Sequence, residues 1–318
     1  MSLRAALVID PKEVSDEICL KIQEFLREMR RRGTVLGISG GVDSAVVAAL
    51  CVRALGKERV LGLYMPEADS SEDSLRLGRE VAGLLGIATE LENITAILEA
   101  AGCYRRRDDA IRSVVPGYEA SYKCKIVLPN LIDGSAYQVF SVVVQSPDGV
   151  ETRTRLPLDA YLTIVAATNF KQRTRKMIEY YHADRLNYAV AGTPNRLEYD
   201  QGFFVKNGDG AADLKPIAHL YKSQIYQLAE YLGVPEEIRL RPPTTDTYSL
   251  EQSQEEFYFA LPYEKMDLSI YARDPGIAPA ELADALGLTA EQAAKVYSVI
   301  DAKRRAARYL HLPPLTLL

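Results

Sequence analysis

The stretch TVLGISGGVDSAVVAALCVRAL, residues 34–55, sets the architecture. Thr34 to Ile38 is a short apolar run that reads as a buried strand. Ser39-Gly40-Gly41-Val42-Asp43-Ser44 follows, and Ala45 to Leu55 reads as a helix of small residues closed by Gly56. A strand, a glycine turn and a helix N-terminus in that order make a cradle for an anion. Gly40 and Gly41 let backbone N–H groups curl inward. The helix start adds partial positive charge, and Ser39 and Ser44 add hydroxyls. Asp43 does not suit a bare phosphate site. It makes sense if Mg²⁺ stands between carboxylate and phosphate. The competing reading is a tight βα turn with Asp43 and Ser44 as helix caps. The segment is not the Walker phosphate loop, which requires a Gly-Lys-Ser/Thr ending.

On either side the pattern alternates. Pro11 to Arg32 carries Ile18, Ile22, Phe25 and Met29 at helical spacing. Val60 to Met65 and Thr89 to Ile94 read as strands, with an amphipathic helix from Ser70 to Leu85 between them. This predicts an α/β fold: a doubly wound, mostly parallel sheet with helices on both faces. Tyr137–Gln145 and Val150–Leu156 are β-rich, and Ser146-Pro147-Asp148-Gly149 between them predicts a hairpin. That hairpin breaks the alternation, so residues 117–157 read as an insertion in a single domain spanning 1–318. A helix is expected from Leu158 to about Arg185 and a strand from Tyr188 to Ala191. Gly192 to Pro216 reads as an ordered functional loop, and a helix runs from His219 to Leu232. A loop rich in Pro and Thr spans residues 241–262 and reads as a mobile active-site loop. Ala280 to Leu310 reads as two helices broken near Gly287.

Composition removes several classes of function. The 318 residues are 47% hydrophobic and 25% charged, ordinary for a globular chain. No run approaches the ~20 apolar residues of a membrane helix. MSLRAALVIDPKE lacks the apolar region of a secretion signal. A net charge of −5 argues against a general nucleic-acid binder. The four cysteines form no Cys-x-x-Cys pair, which fits a reducing cytoplasm. Three histidines argue against a His-rich metal site or a Ser-His-Asp triad.

SGGVDS resembles the pyrophosphatase loop of the ATP pyrophosphatases, which split ATP to AMP and pyrophosphate while adenylating an acceptor. That resemblance gives a reaction class, not a substrate. The second half narrows it. Gly192-Thr193-Pro194-Asn195-Arg196-Leu197-Glu198, Gly202-Phe203-Phe204-Val205-Lys206-Asn207-Gly208-Asp209-Gly210 and Ala212-Asp213-Leu214-Lys215-Pro216 resemble the NAD synthetase signature. So do Leu220-Tyr221-Lys222-Ser223-Gln224 and the Asn-x-x-x-Arg-x-Arg pattern at Asn169, Arg173 and Arg175. The resemblance implies an adenine nucleotide alpha hydrolase-like fold, ATP as co-substrate and Mg²⁺. It makes Asp43 and Glu198 the metal ligands, and with Lys222 the catalytic set. It places Ser39, Gly40, Gly41, Ser44, Thr193, Lys222 and the loop residue Thr244 around ATP. It places Asn169, Arg173, Phe203, Lys206, Asp209 and Glu255 around deamido-NAD.

Each residue also has a plainer reading. Arg173 and Arg175 fit a solvated helix face, Asp209 a turn, Lys222 an exposed helix start and Phe203 the core. The resemblance further implies a homodimer. Free ammonia, or a separate glutaminase, would be the nitrogen source, since the chain has no room for the amidase domain of glutamine-dependent members. Three places depart from the family pattern. They are the insertion, the aromatic-rich Glu255–Glu264 segment, and Ala302-Lys303-Arg304, where the family often has His-Lys-Arg. All lie on the acceptor side, which leaves open a paralogue amidating another carboxylate. A non-catalytic nucleotide binder is the third reading.

Overall fold

A computed structural model describes residues 3–128, 140–244, 247–253, 258 and 261–316. Its centre is a parallel sheet of β1 (Thr34–Gly37), β2 (Val60–Tyr64), β3 (Ala88–Leu91) and β7 (Ala189–Val190), in the order β3-β2-β1-β7. Side chains alternate between the two faces, as the pleat requires. Leu36, Val60 and Tyr64 join a core with α1 (Pro11–Glu28), α2 (Val42–Leu55), α3 (Glu72–Leu85) and α8 (Lys222–Tyr231). Val35, Leu61 and Leu63 face the other way, toward α4 (Thr95–Ala100), the start of α5 (Cys103–Arg112) and α6 (Leu158–Leu186). The expected doubly wound sheet is therefore present.

The chain first winds outward from β1 to β2 and β3, then returns to add β7 on the other side of β1. Strand order reverses at β1, so a cleft opens past the carboxyl ends of β1 and β7. The loops Ser39–Gly41 and Gly192–Asn195 leave from those two ends and face one another.

Several boundaries move for local reasons. α1 ends at Glu28, not Arg32, because Arg30 takes a left-handed conformation (φ +52°) and Arg31 N donates to Leu26 O at 2.8 Å. The arginine run instead docks on Asn187, where Arg31 Nη1 reaches Oδ1 at 3.0 Å. α2 starts at Val42 with Gly41 as its N-cap and no side-chain cap. Asp43 and Ser44 are thus not caps; Ser44 Oγ donates back to Gly41 O at 2.9 Å. The stretch Gly192–Pro216 contains a short helix, α7 (Arg196–Gln201). α4 and α5 had no clear pattern, since α5 is mostly charged.

A second sheet stands beside the first. β5 (Ser141–Gln145) and β6 (Glu151–Arg155) are antiparallel and joined by a turn in which Gly149 has φ +86°. The anticipated start of β5 at Tyr137 lies outside the described residues. β4 (Lys123–Val127) adds a third strand on the other side of β5. After the short α9 (Glu236–Leu240), a further core packs α7 and α8 against α10 (Tyr263–Arg273), α11 (Pro279–Leu286) and α12 (Ala290–His311).

Candidate active site

The cleft at the strand reversal holds a cavity of about 540 Å³. Ser39, Gly41, Asp43 and Ser44 form one wall, and Thr193 and Glu198 another. Lys222, Thr244, Phe203, Asp209 and Asn169 also line it. The structure therefore brings together eleven of the residues singled out from the sequence.

Three side chains make its charged centre. Lys222 sits in the first turn of α8, where the helix dipole disfavours a cation. It is nevertheless 2% exposed, and Nζ donates to Asp43 Oδ2. Burial opposes its charge, but Asp43 and Glu198 outweigh burial and hold its pKa above the ordinary lysine value. Lys222 is therefore a fixed cation, not an exposed helix start.

Asn195 is the residue that ties this centre together, and sequence reasoning gave it no role. It is the N-cap of α7: its side chain accepts from Glu198 N at 3.0 Å, and Glu198 Oε2 accepts from Asn195 N at 3.1 Å. Its Nδ2 donates to Asp43 Oδ1 at 3.1 Å. The Asn-x-x-Glu capping box was a legible signal. What it could not tell was that the spare amide hydrogen reaches a carboxylate 152 residues away.

The two glycines divide their work. Gly40 has φ +77°, and a Cβ there would meet Ser74 O at 2.5 Å. Its role is close packing on α3, and it does not line the cavity. Gly41 has φ −90°, and a Cβ would meet only Ser39 Oγ, at 3.4 Å. Nothing in the fold demands glycine there, but a side chain would project into the cradle.

α6 supplies the floor. Asn169, Gln172, Lys176 and Glu179 recur at threes and fours on one face, and all line the cavity. Lys176 pairs with Glu179 at 2.5 Å, both buried. Arg175 also lines it, with Nε donating to Met65 O at 3.3 Å, and so does Arg241 beside Ser74. Both add positive charge to the cavity wall. Arg173 is exposed and donates to Lys206 O at 3.2 Å. Lys206 turns to the C-terminal end, donating to Tyr309 O at 2.9 Å. Neither lines the cavity.

Phe203 stacks on Tyr258 with centroids 4.8 Å apart, so it is both core and wall. Asp209 closes its turn by accepting from Val205 N at 2.8 Å while also facing the cavity. Burial raises its pKa against the pull of that N–H and of Lys176. Glu255 lies outside the described residues.

Asp43 and Glu198 offer two carboxylates and no more. Among the described residues no cluster of three or more His, Cys, Asp or Glu is placed to hold a metal. That donor set fits Mg²⁺, which takes one or two carboxylates and completes its shell with phosphate oxygens and water.

Comparison with known proteins agrees with this geometry. The NAD synthase family model matches residues 14–116 and 143–307. The NH(3)-dependent NAD(+) synthetase of Mesorhizobium japonicum is 61% identical over 310 residues, covering 97% of each chain. That of Rhizobium rhizogenes is 59% identical, covering 98% of this chain and 94% of its own. The Thermotoga maritima relative is 37% identical, covering 77% of this chain and 82% of its own. Among solved structures, the NH3-dependent NAD synthetase of Campylobacter jejuni shares the fold at TM-score 0.65 and 23% identity, covering 98% of this chain and all of that one. The chain belongs to the NAD synthase family.

Proposed function

We propose that this protein is an ammonia-dependent NAD synthetase, converting the carboxylate of deamido-NAD to an amide at the expense of ATP. The observation that carries the reading is the Asp43–Lys222 pair, bridged through Asn195 to Glu198, at the mouth of the Ser39–Gly41 cradle. Relatives named as NH(3)-dependent NAD(+) synthetases at 58–61% identity over nearly the whole chain support it.

A carboxylate is a poor acyl donor, so it must first gain a leaving group. Its oxygen attacks the α-phosphorus of ATP, pyrophosphate departs, and an acyl adenylate forms. Ammonia then adds to the carbonyl carbon, loses a proton, and AMP leaves. Lys222, Arg175 and Arg241 answer the charge that builds on the polyphosphate. The Ser39–Gly41 turn, with the Ser39 and Ser44 hydroxyls, fixes its position. Mg²⁺, held by Asp43 and Glu198, would supply further charge neutralisation on the phosphate oxygens. Asn169, Phe203 and Asp209 form the acceptor side.

The scheme needs no protein nucleophile. All four cysteines are buried, and burial pushes the Cys51 thiol up to about 12. In the same reading the protein is a cytoplasmic homodimer using free ammonia or ammonia from a separate glutaminase. No helix among the described residues is long and apolar enough to cross a membrane.

The test is turnover of ATP, Mg²⁺ and ammonia with and without deamido-NAD. AMP and NAD appearing together, only with deamido-NAD, is the expected result. ATP binding without NAD, or NAD formed without AMP, refutes the assignment.

A further inference from the structure

Residues 117–142 fall outside the family match, and β4 lies within them. β4 is an edge strand of its sheet, and an open edge must be covered. The segment Thr247–Ser253 covers it. Leu250 N donates to Cys124 O at 3.1 Å, and Cys124 N donates to Ser249 Oγ at 2.9 Å. Lys125 Nζ donates to Glu251 O at 3.2 Å, and Gln252 Nε2 to Ile126 O. Tyr248 is buried in the core formed by Cys124, Ile126, Val142, Val144 and Ile164. Thr247 and Tyr248 in turn are walls of the nucleotide cavity.

The other end of this segment is fastened by a charge cluster. Lys171 is 1% exposed, and Nζ donates to Glu67 Oε1 at 2.9 Å, Asp69 Oδ2 at 2.7 Å and Thr247 O at 2.7 Å. An ammonium has three donors, and here two go to carboxylates and one to a loop carbonyl. Arg107 pairs with Asp69, and Tyr104 Oη donates to Glu67 Oε2 at 2.7 Å, so the carboxylates cannot follow the loop if it leaves. Lifting Thr247 would strand a buried N–H, which is costly.

We propose that the β4–β6 sheet and Lys171 together seat Thr247–Ser253 as a fixed wall of the ATP cavity, making Lys171 and Ser249 positioning residues for ATP binding. This rests on the functional reading above. A wall set in advance spares ATP the ordering of that segment, so its loss weakens binding equally in ground and transition states.

Lys171→Met would bury Glu67 and Asp69 without their shared cation and puts the fold at risk. The decisive variant is therefore Ser249→Ala with Gln252→Ala, compared with Ser249→Thr, which keeps the hydroxyl. Hydrogen exchange of residues 247–252, KM for ATP, kcat and melting temperature are measured together. The expected result is exchange about fivefold faster or more, KM for ATP raised by a similar factor with kcat nearly unchanged, and recovery in Ser249→Thr. Unchanged exchange overturns the seat. Faster exchange with unchanged KM overturns the positioning role. The exchange arm needs no turnover, so its failure is separable from failure of the proposed reaction.

Discussion

Replacing Lys222 with Met removes one positive charge from a place where two carboxylates, Asp43 and Glu198, face it. Lys222 is 2% exposed and its partner Asp43 17%. After the change Asp43 keeps the amide of Asn195, at 3.1 Å, but no cation. Breaking a buried pair from one side costs about 3–5 kcal/mol. Asp43 faces the cavity and keeps some water, so the lower end, about 3 kcal/mol, is the expected loss of stability. Under the proposed scheme catalysis should suffer separately, because there the ammonium answers charge on departing pyrophosphate. Loss of one such preorganised group costs roughly a hundredfold or more in kcat. The double variant Asp43→Asn with Lys222→Met separates the two effects. It leaves no unpaired carboxylate at position 43, so most of the stability returns while the activity does not. Urea denaturation and NAD formation read the two quantities. Lys222→Met with near-wild-type kcat would refute the catalytic role. A double variant no more stable than the single would refute the pairing energetics.

Two further outcomes follow from the same geometry. Gly41→Ala should fold with stability within about 0.5 kcal/mol of wild type, yet raise KM for ATP about tenfold, equivalent to about 1.4 kcal/mol. Gly40→Ala should instead lose about 1–3 kcal/mol of stability through strain at φ +77° and the contact with Ser74 O. Reversed behaviour would show that the cradle has been assigned to the wrong glycine. Asp267, fully buried on α10, accepts from Ser223 N at 2.7 Å and so holds the start of α8 beside Lys222. Burial pushes its carboxyl up to about 6, against those backbone donors and Lys222. A raised acid pKa means the native state holds the proton more tightly. Stability contributed by the protonated form is therefore lost as pH rises from about 4 to about 6, by roughly 3 kcal/mol. Asp267→Asn keeps an acceptor for Ser223 N and should erase that loss. Its stability relative to wild type should be greater at pH 8 than at pH 4, and an equal difference at both would contradict the assignment.

What could be read from the sequence was local. The apolar run Thr34–Ile38, the glycine turn and the small-residue helix each carry their own signal within a few residues, and they named both the sheet and the cradle. Long-range facts were not legible. Lys222 reads as an exposed helix start until α8 packs it against Asp43, 179 residues away. Arg173 and Arg175 are alike in sequence, but the turn of α6 sends one to solvent and the other to the cavity. β4 has a weak alternation of its own and becomes a strand by pairing with β5, from Lys123 opposite Gln145 to Val127 opposite Ser141. α5 hides because two of its charges, Arg107 and Asp108, are buried as a pair while Arg105, Arg106, Asp109 and Arg112 stay exposed, so charge does not mark its solvated face.

The most direct test of an adenylated intermediate follows one oxygen atom. Deamido-NAD carrying heavy-isotope oxygen in its carboxylate is converted with ATP, Mg²⁺ and ammonia, and the products are weighed by mass spectrometry. Attack of that carboxylate on the α-phosphorus places one labelled oxygen in the phosphate of AMP and leaves the other in the amide of NAD. Label in pyrophosphate, or AMP free of label while NAD forms, would contradict the mechanism built on this site.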